Sequence, residues 1–214
     1  MPLIALVFIF IFLVIFLQLG IFTIVLAKLG LSPNSAMLLL GTTLLGSLIN
    51  LPVFSMNATG EALTDDFKVP RLLFSQIQKF NGKTIIALNV GGALVPIFFS
   101  LYLILTNALN ALQLVPAIMI VTAISYYFSR PIKGLGIGMP IFIAPLTAAI
   151  TALLIAPAQS APLAYVCGTL GVLIGADLLR LKDIKHMGVP VAAIGGAGTF
   201  DGIFFTGIIA VLLA

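Results

Sequence analysis

Two carboxylates stand inside apolar stretches of the chain, Asp177 and Asp201, while the other four acids (Glu61, Asp65, Asp66 and Asp183) fall in polar connecting segments. Burying a carboxylate in hydrocarbon costs several kcal/mol, so a residue of this kind marks a functional site more often than an accident of packing. Two such groups held close together cannot both ionise cheaply. They share a proton, and one can act as base and the other as acid on a water that attacks a peptide bond.

The surroundings of each aspartate are rich in glycine. Asp177 ends the run Cys167-Gly-Thr-Leu-Gly-Val-Leu-Ile-Gly-Ala-Asp177, in which Gly168, Gly171 and Gly175 form a flat stripe suited to close helix contact. Our reading places Asp177 on the face of that stripe, toward a partner helix. The alternative is an ion pair with Arg180, three residues further on. Asp201 follows Gly195, Gly196, Gly198 and Thr199, residues that weaken a helix. A break there exposes backbone carbonyls, which apolar surroundings tolerate only inside the protein or along a cavity. Helix-packing glycines are the simpler alternative. A second glycine break, Asn89-Val-Gly-Gly-Ala-Leu-Val-Pro96, echoes the first. Paired broken helices can mark an ion or substrate site, which makes Asn89 and the glycines candidate ligands beside Asp201. Asn50 and Asn107 are read as helix–helix hydrogen bonders.

The elements that must position these residues are helices in a membrane. Of 214 residues 61% are hydrophobic and 7% charged, with mean hydropathy +1.27, whereas a soluble domain carries roughly 25% charged residues. A membrane span needs about 20 apolar residues, and seven segments qualify: 3–27, 35–56, 84–107, 112–129, 138–157, 161–179 and 190–214. The expected fold is therefore all-α, a polytopic transmembrane bundle forming one domain over 1–214. Six spans are the alternative, since the second segment can break at Asn50 and Pro52 and the fifth is rich in proline. Residues 3–27 read as a retained helix rather than a cleaved signal.

Nine of the ten basic residues lie in the loops after the second, fourth and sixth segments, and only Lys28 lies elsewhere. The positive-inside rule places those loops and the N-terminus in the cytoplasm and the C-terminus outside. Loop 57–83 carries Val69, Leu72, Leu73, Ile77 and Phe80 at helical spacing, with Arg71, Gln76 and Lys79 among the polar positions. This pattern predicts a short amphipathic helix on the inner surface. The net charge of +4 is a matter of topology, so no nucleic acid is expected as a partner. A lone Cys167 and a lone His186, read as a solvated loop residue, give no basis for a metal site or cofactor.

The runs Asn89-Val-Gly-Gly-Ala-Leu-Val-Pro96, Gly171-Val-Leu-Ile-Gly-Ala-Asp177-Leu and Gly195-Gly-Ala-Gly-Thr-Phe-Asp201-Gly-Ile-Phe resemble the membrane family filed as domain of unknown function 1614. That resemblance implies a multi-pass protein of a prokaryotic membrane and no known activity. Asp177 with Gly198-Thr-Phe-Asp201 also resembles the aspartate pair of presenilin and signal-peptide-peptidase type proteases. Phe200 stands where those proteases have glycine, no tyrosine precedes Asp177, and no Pro-Ala-Leu follows Asp201. Three functions are left open: an intramembrane aspartyl-protease-like enzyme acting on a membrane-embedded peptide, a transporter or channel for a small cation or proton, and a non-catalytic scaffold. The lipid bilayer is the common partner, and the oligomeric state is unspecified.

Overall fold

The computed structural model of the protein describes residues 9, 25, 27–59, 82–132, 136–196 and 202–214. In chain order these form α1 (Pro33–Gly46), β1 (Asn50–Asn57), β2 (Lys83–Asn89), α2 (Val95–Thr106), α3 (Ala111–Phe128), β3 (Arg130–Ile132), β4 (Gly136–Gly138), α4 (Ile143–Ile155), α5 (Ser160–Val172), α6 (Leu181–Ile184), β5 (Val191–Ile194) and α7 (Gly202–Leu213). Two π-helical turns interrupt this order. Val90–Leu94 joins β2 to α2, and Leu173–Leu178 extends α5. The expected amphipathic helix lies outside the described residues, as does most of the segment 3–27.

The chain is mostly helical, but it is not all-α. β1 and β2 pair antiparallel, β2 and β5 pair parallel, and β3 and β4 make a separate hairpin. Three of the seven expected spans therefore contain both a helix and a strand. The segment 35–56 becomes α1 then β1, the segment 84–107 becomes β2 then α2, and the segment 190–214 contains β5 and α7. Composition misleads here because a short apolar run suits a buried strand as well as a helix, and periodicity does not separate them. Pro52 fits the edge strand it occupies, and the β1–β2 register shifts beside it, although proline alone does not separate the two, since Pro116 stands inside α3.

Among the described residues, two helical units are long and apolar enough to cross a membrane, Ala111–Phe128 and Pro157–Leu178. The 14 residues of α1 rise only about 21 Å, short of the roughly 30 Å of a hydrocarbon core.

α5 is the central helix. Leu163, Tyr165, Val166 and Thr169 have no exposed surface, and α2, α3, α4 and α7 pack around it. Its glycines permit the close approach. A Cβ on Gly168 would press on Ala148 of α4 and Thr206 of α7, and one on Gly171 would meet Val121 of α3 at 2.6 Å. Gly175 faces the Thr122 carbonyl and Ser125 on α3.

Hydrogen bonds sort the connections onto two ends of the molecule. At one end Lys28 Nζ donates to Val211 O, Gln159 Nε2 to Asn107 O, and Ser160 Oγ to Ala214 O. At the other end Thr59 N donates to Lys185 O, Thr59 Oγ1 bonds His186 Nδ1, and Arg180 reaches Tyr126 and Ser129. The three-stranded sheet belongs to this second end, where Ile86 and Ile194 share a core with Leu173, Ala176 and Ile184.

Candidate functional site

The glycine run that begins at Gly195 meets both π turns. Ile194 is the last residue of β5 and pairs with Leu88 of β2. The strand stops because Gly195 and Gly196 both take left-handed backbone angles, with φ of +82° and +88°. Gly195 is pressed against the first π turn: a Cβ there would lie 2.7 Å from Ala93 Cβ, Ala93 N and Gly92 C. On its other side, the Gly195 N–H donates to Asp177 Oδ2 in the second π turn at 2.7 Å. Only glycine satisfies both the backbone angle and the lack of space.

Asp177 is half-buried. It does not share the glycine face of α5. Gly171 and Gly175 look toward α3, while Asp177 looks toward β5. Two residues beyond Gly175 is about 200° around a helix axis at 100° per residue, and the wider π turn shifts the phase further. Nor does Asp177 pair with Arg180. The one ion pair among the described residues joins Arg180 Nη1 to Asp183 Oδ2 at 3.1 Å. Among the described residues, Asp177 is held by a backbone N–H and not by a cation.

Asn89 has no exposed surface and caps the first π turn. Its Oδ1 accepts from Gly92 N at 2.7 Å, and its Nδ2 donates to Ser47 O at 2.8 Å and to Asn50 Oδ1 at 3.0 Å. The carboxamide thus ties the end of α1 to the start of the turn on which Gly195 rests. Gly91 permits this, since a side chain there would run into the Thr43 carbonyl. Asn107 serves at the opposite end, donating to Leu103 O within its own helix end.

The structure therefore brings together Asp177, Gly195 and the turn capped by Asn89, with Gly196 next along the chain. Gly198, Thr199 and Asp201 lie outside the described residues. In sequence, Asp201 follows Gly195 by six residues and directly precedes Gly202, the first residue of α7. The two π turns escaped the sequence reading, because no residue type marks a switch from α to π winding. The one visible hint was an asparagine three residues ahead of a glycine, the spacing of a helix cap.

The model of the family described as "Protein of unknown function (DUF1614)" matches residues 44–213. The chain belongs to this family. The DUF1614 match takes in the sheet, both π turns, Asp177, Asp201 and the glycine run between β5 and α7. No curated protein and no solved structure matches this DUF1614 chain.

Proposed function

We propose that this is a multi-pass protein of a prokaryotic membrane in which Asp177 and Asp201 form the dyad of an aspartyl-protease-like enzyme. The observation that carries the reading is the hydrogen bond from Gly195 N–H to Asp177 Oδ2. It joins the end of α5 to the short segment that carries the second aspartate. In a dyad one carboxylate takes a proton from the attacking water while the other protonates the carbonyl oxygen. Collapse of the tetrahedral intermediate then breaks the C–N bond as the amine takes up a proton. The Gly195 N–H would orient Asp177 through one oxygen and leave the other for this exchange.

Several observations support the membrane placement. The charge content is 7%, two helices have spanning length, and the helix surfaces present Leu38, Leu105, Leu112 and Leu154 outward, each at least 71% exposed. The sheet fits the cytoplasmic end, because an open sheet edge is not tolerated in hydrocarbon and needs water or protein beside it. Arg130 and Lys182 lie within the short elements β3 and α6, and Arg180 and Lys185 flank α6, at that same end. A C-terminus outside accords with the bonds that join Val211 and Ala214 to Lys28 and Ser160 at the opposite end.

Cleavage of single-span peptides by the full-length protein in proteoliposomes, followed by mass spectrometry, tests the activity. Asp177→Asn and Asp201→Asn are each expected to abolish it, with both variants folded. Full activity in either variant removes the dyad. A geometric test needs no substrate: cysteines at 177 and 201 in a Cys167→Ala background should be joined by a short bifunctional reagent. Failure to cross-link would place the two positions too far apart for carboxylates that must meet directly or through one water.

The cation-transport reading has less support at Asn89, whose donors and carbonyl are already engaged by Ser47, Asn50 and Gly92. It keeps the broken backbone at Gly195 and Gly196 in its favour. It predicts proton- or cation-coupled flux that Asn89→Ala stops and Asp177→Asn only weakens.

A further inference from the structure

We propose that Arg180 is the positioning residue of this site. Its guanidinium ties the π turn bearing Asp177 to the C-terminal end of α3, and so sets where the Asp177 carboxylate meets Gly195. The inference rests on the reading of Asp177 as a functional residue.

The argument starts from the turn. A π turn is rare, occurs mostly as a single-turn bulge inside an α-helix, and is frequent at functional sites. Here it is closed by the bond from Leu179 N to Ile174 O at 2.9 Å. Relaxing it to α winding would shift the register by one residue, or about 100° of rotation. That rotation would swing Asp177 away from Gly195. The turn must therefore be held at both ends.

Its leading end is held by the contact of Gly171 and Gly175 with α3. Its trailing end is held by Arg180. The Nη2 group donates to Tyr126 O and Ser129 O, both at 2.8 Å, and Nε donates to Ser129 Oγ at 3.2 Å. The guanidinium carbon lies 4.2 Å from the centroid of the Tyr126 ring, and Asp183 takes the remaining Nη1 bond. The last carbonyls of α3 have no partner within their own helix and carry its negative dipole end, so a planar cation that donates at once to Tyr126 O and to the cap residue Ser129 is fixed in direction as well as in place. Lysine offers the charge without the fork. Asp177 lies three residues before this anchor.

Hydrogen exchange at the Gly195 amide in the full-length protein, held in lipid nanodiscs, tests the proposal without using activity. Asp177→Ala, which removes the acceptor, sets the reference. Arg180→Gln and Arg180→Lys are both expected to speed exchange at Gly195 on the order of tenfold, toward that reference, as loss of about one hydrogen bond implies. Amides 117–122 in the body of α3 should keep their protection. Tyr126→Leu, which removes only the stacked ring, should move Gly195 in the same direction by less, and covers the case in which an Arg180 variant fails to fold. Unchanged exchange at Gly195 in the folded variants would overturn the proposal, and so would full protection in Arg180→Lys, which would make charge alone sufficient. If instead Asp177→Asn leaves peptide cleavage intact, the protease reading falls while the exchange result still decides the role of Arg180.

Discussion

Asp177 and Gly195 are 18 residues apart in the chain and are joined by a hydrogen bond of 2.7 Å from a backbone N–H to a carboxylate. The bond closes the sheet end of the molecule. It links the last turn of the central helix to the point where β5 stops and the backbone turns left-handed. Because Gly195 also rests on Gly92 and Ala93, the same residue couples the two π turns.

The first prediction separates shape from charge at Asp177. Asp177→Asn keeps an acceptor oxygen for the Gly195 N–H, so it should lose the charge-assisted part of the bond and leave the fold intact. Asp177→Ala leaves the N–H of buried Gly195 without a partner and should cost about 1–3 kcal/mol. Thermal unfolding in detergent should rank wild type, Asn and Ala in that order. An Ala variant as stable as wild type would mean that the bond contributes nothing to holding β5.

A second prediction concerns Gly195. An alanine there meets two penalties, the left-handed backbone angle and the contacts at 2.7 Å with the Gly92–Ala93 segment. The first costs about 1–2 kcal/mol, and overpacking adds about 1–3 kcal/mol. Gly195→Ala should therefore lower stability more than Asp177→Ala does. Gly82, also left-handed but with open space around it, gives the control: Gly82→Ala should incur the backbone penalty alone.

The site and the fold were legible in the sequence to different degrees. The carboxylate at 177 and the glycines at 195 and 196 drew notice because each contradicts its apolar setting, and such contradictions survive folding. The two long helices at 111–128 and 157–178 are legible for the opposite reason: each holds its apolar character for the full length of a helix. What was hidden is the sheet. Residues 50–57, 83–89 and 191–194 have the composition of a span, and what makes them strands is their pairing with one another across long stretches of chain. A pairing of that kind leaves no local period to read. The face of Asp177 follows from helical phase alone, since two residues beyond Gly175 already turn it about 200° away, and the wider π turn only shifts that phase further.

A third prediction addresses Asn89, which caps a π turn and fastens it to α1 and β1. Asn89→Ala strands the Gly92 N–H and the Ser47 carbonyl in a fully buried place. It should cost at least about 2 kcal/mol, since each orphaned group carries its desolvation penalty. Asn89→Asp keeps the acceptor for Gly92 but loses both donors, and should fall between Asn and Ala only if its carboxyl is protonated. Chemical denaturation midpoints of the three proteins measure this. Stability indifferent to Asn89→Ala would leave the amide free for a ligand and would revive its reading as an ion-binding group.

The final prediction is the direction in which the chain is threaded. Two independent lines meet in it. Nine of ten basic residues fall in alternate loops, and the hydrogen bonds gather residues 59, 126, 129, 180, 185 and 186 at one end and 28, 107, 159, 160, 211 and 214 at the other. The first line is a rule about insertion and the second is geometry, yet both put the same segments together. Fusions of a compartment-sensitive reporter after Lys83, Arg130 and Lys185 should report the cytoplasm, and one at Ala214 should report the outside. The strands sharpen the test. Because β1, β2 and β5 sit at the end shared by residues 59, 185 and 186, cysteines placed at exposed Val53 and Phe54 should react with a thiol reagent only once it is admitted to the cytoplasmic side. Labelling of those positions from outside would invert the molecule in the membrane. It would also move the Asp177 end of α5 to the outer face, so the aspartates would have to act on the opposite side of the bilayer.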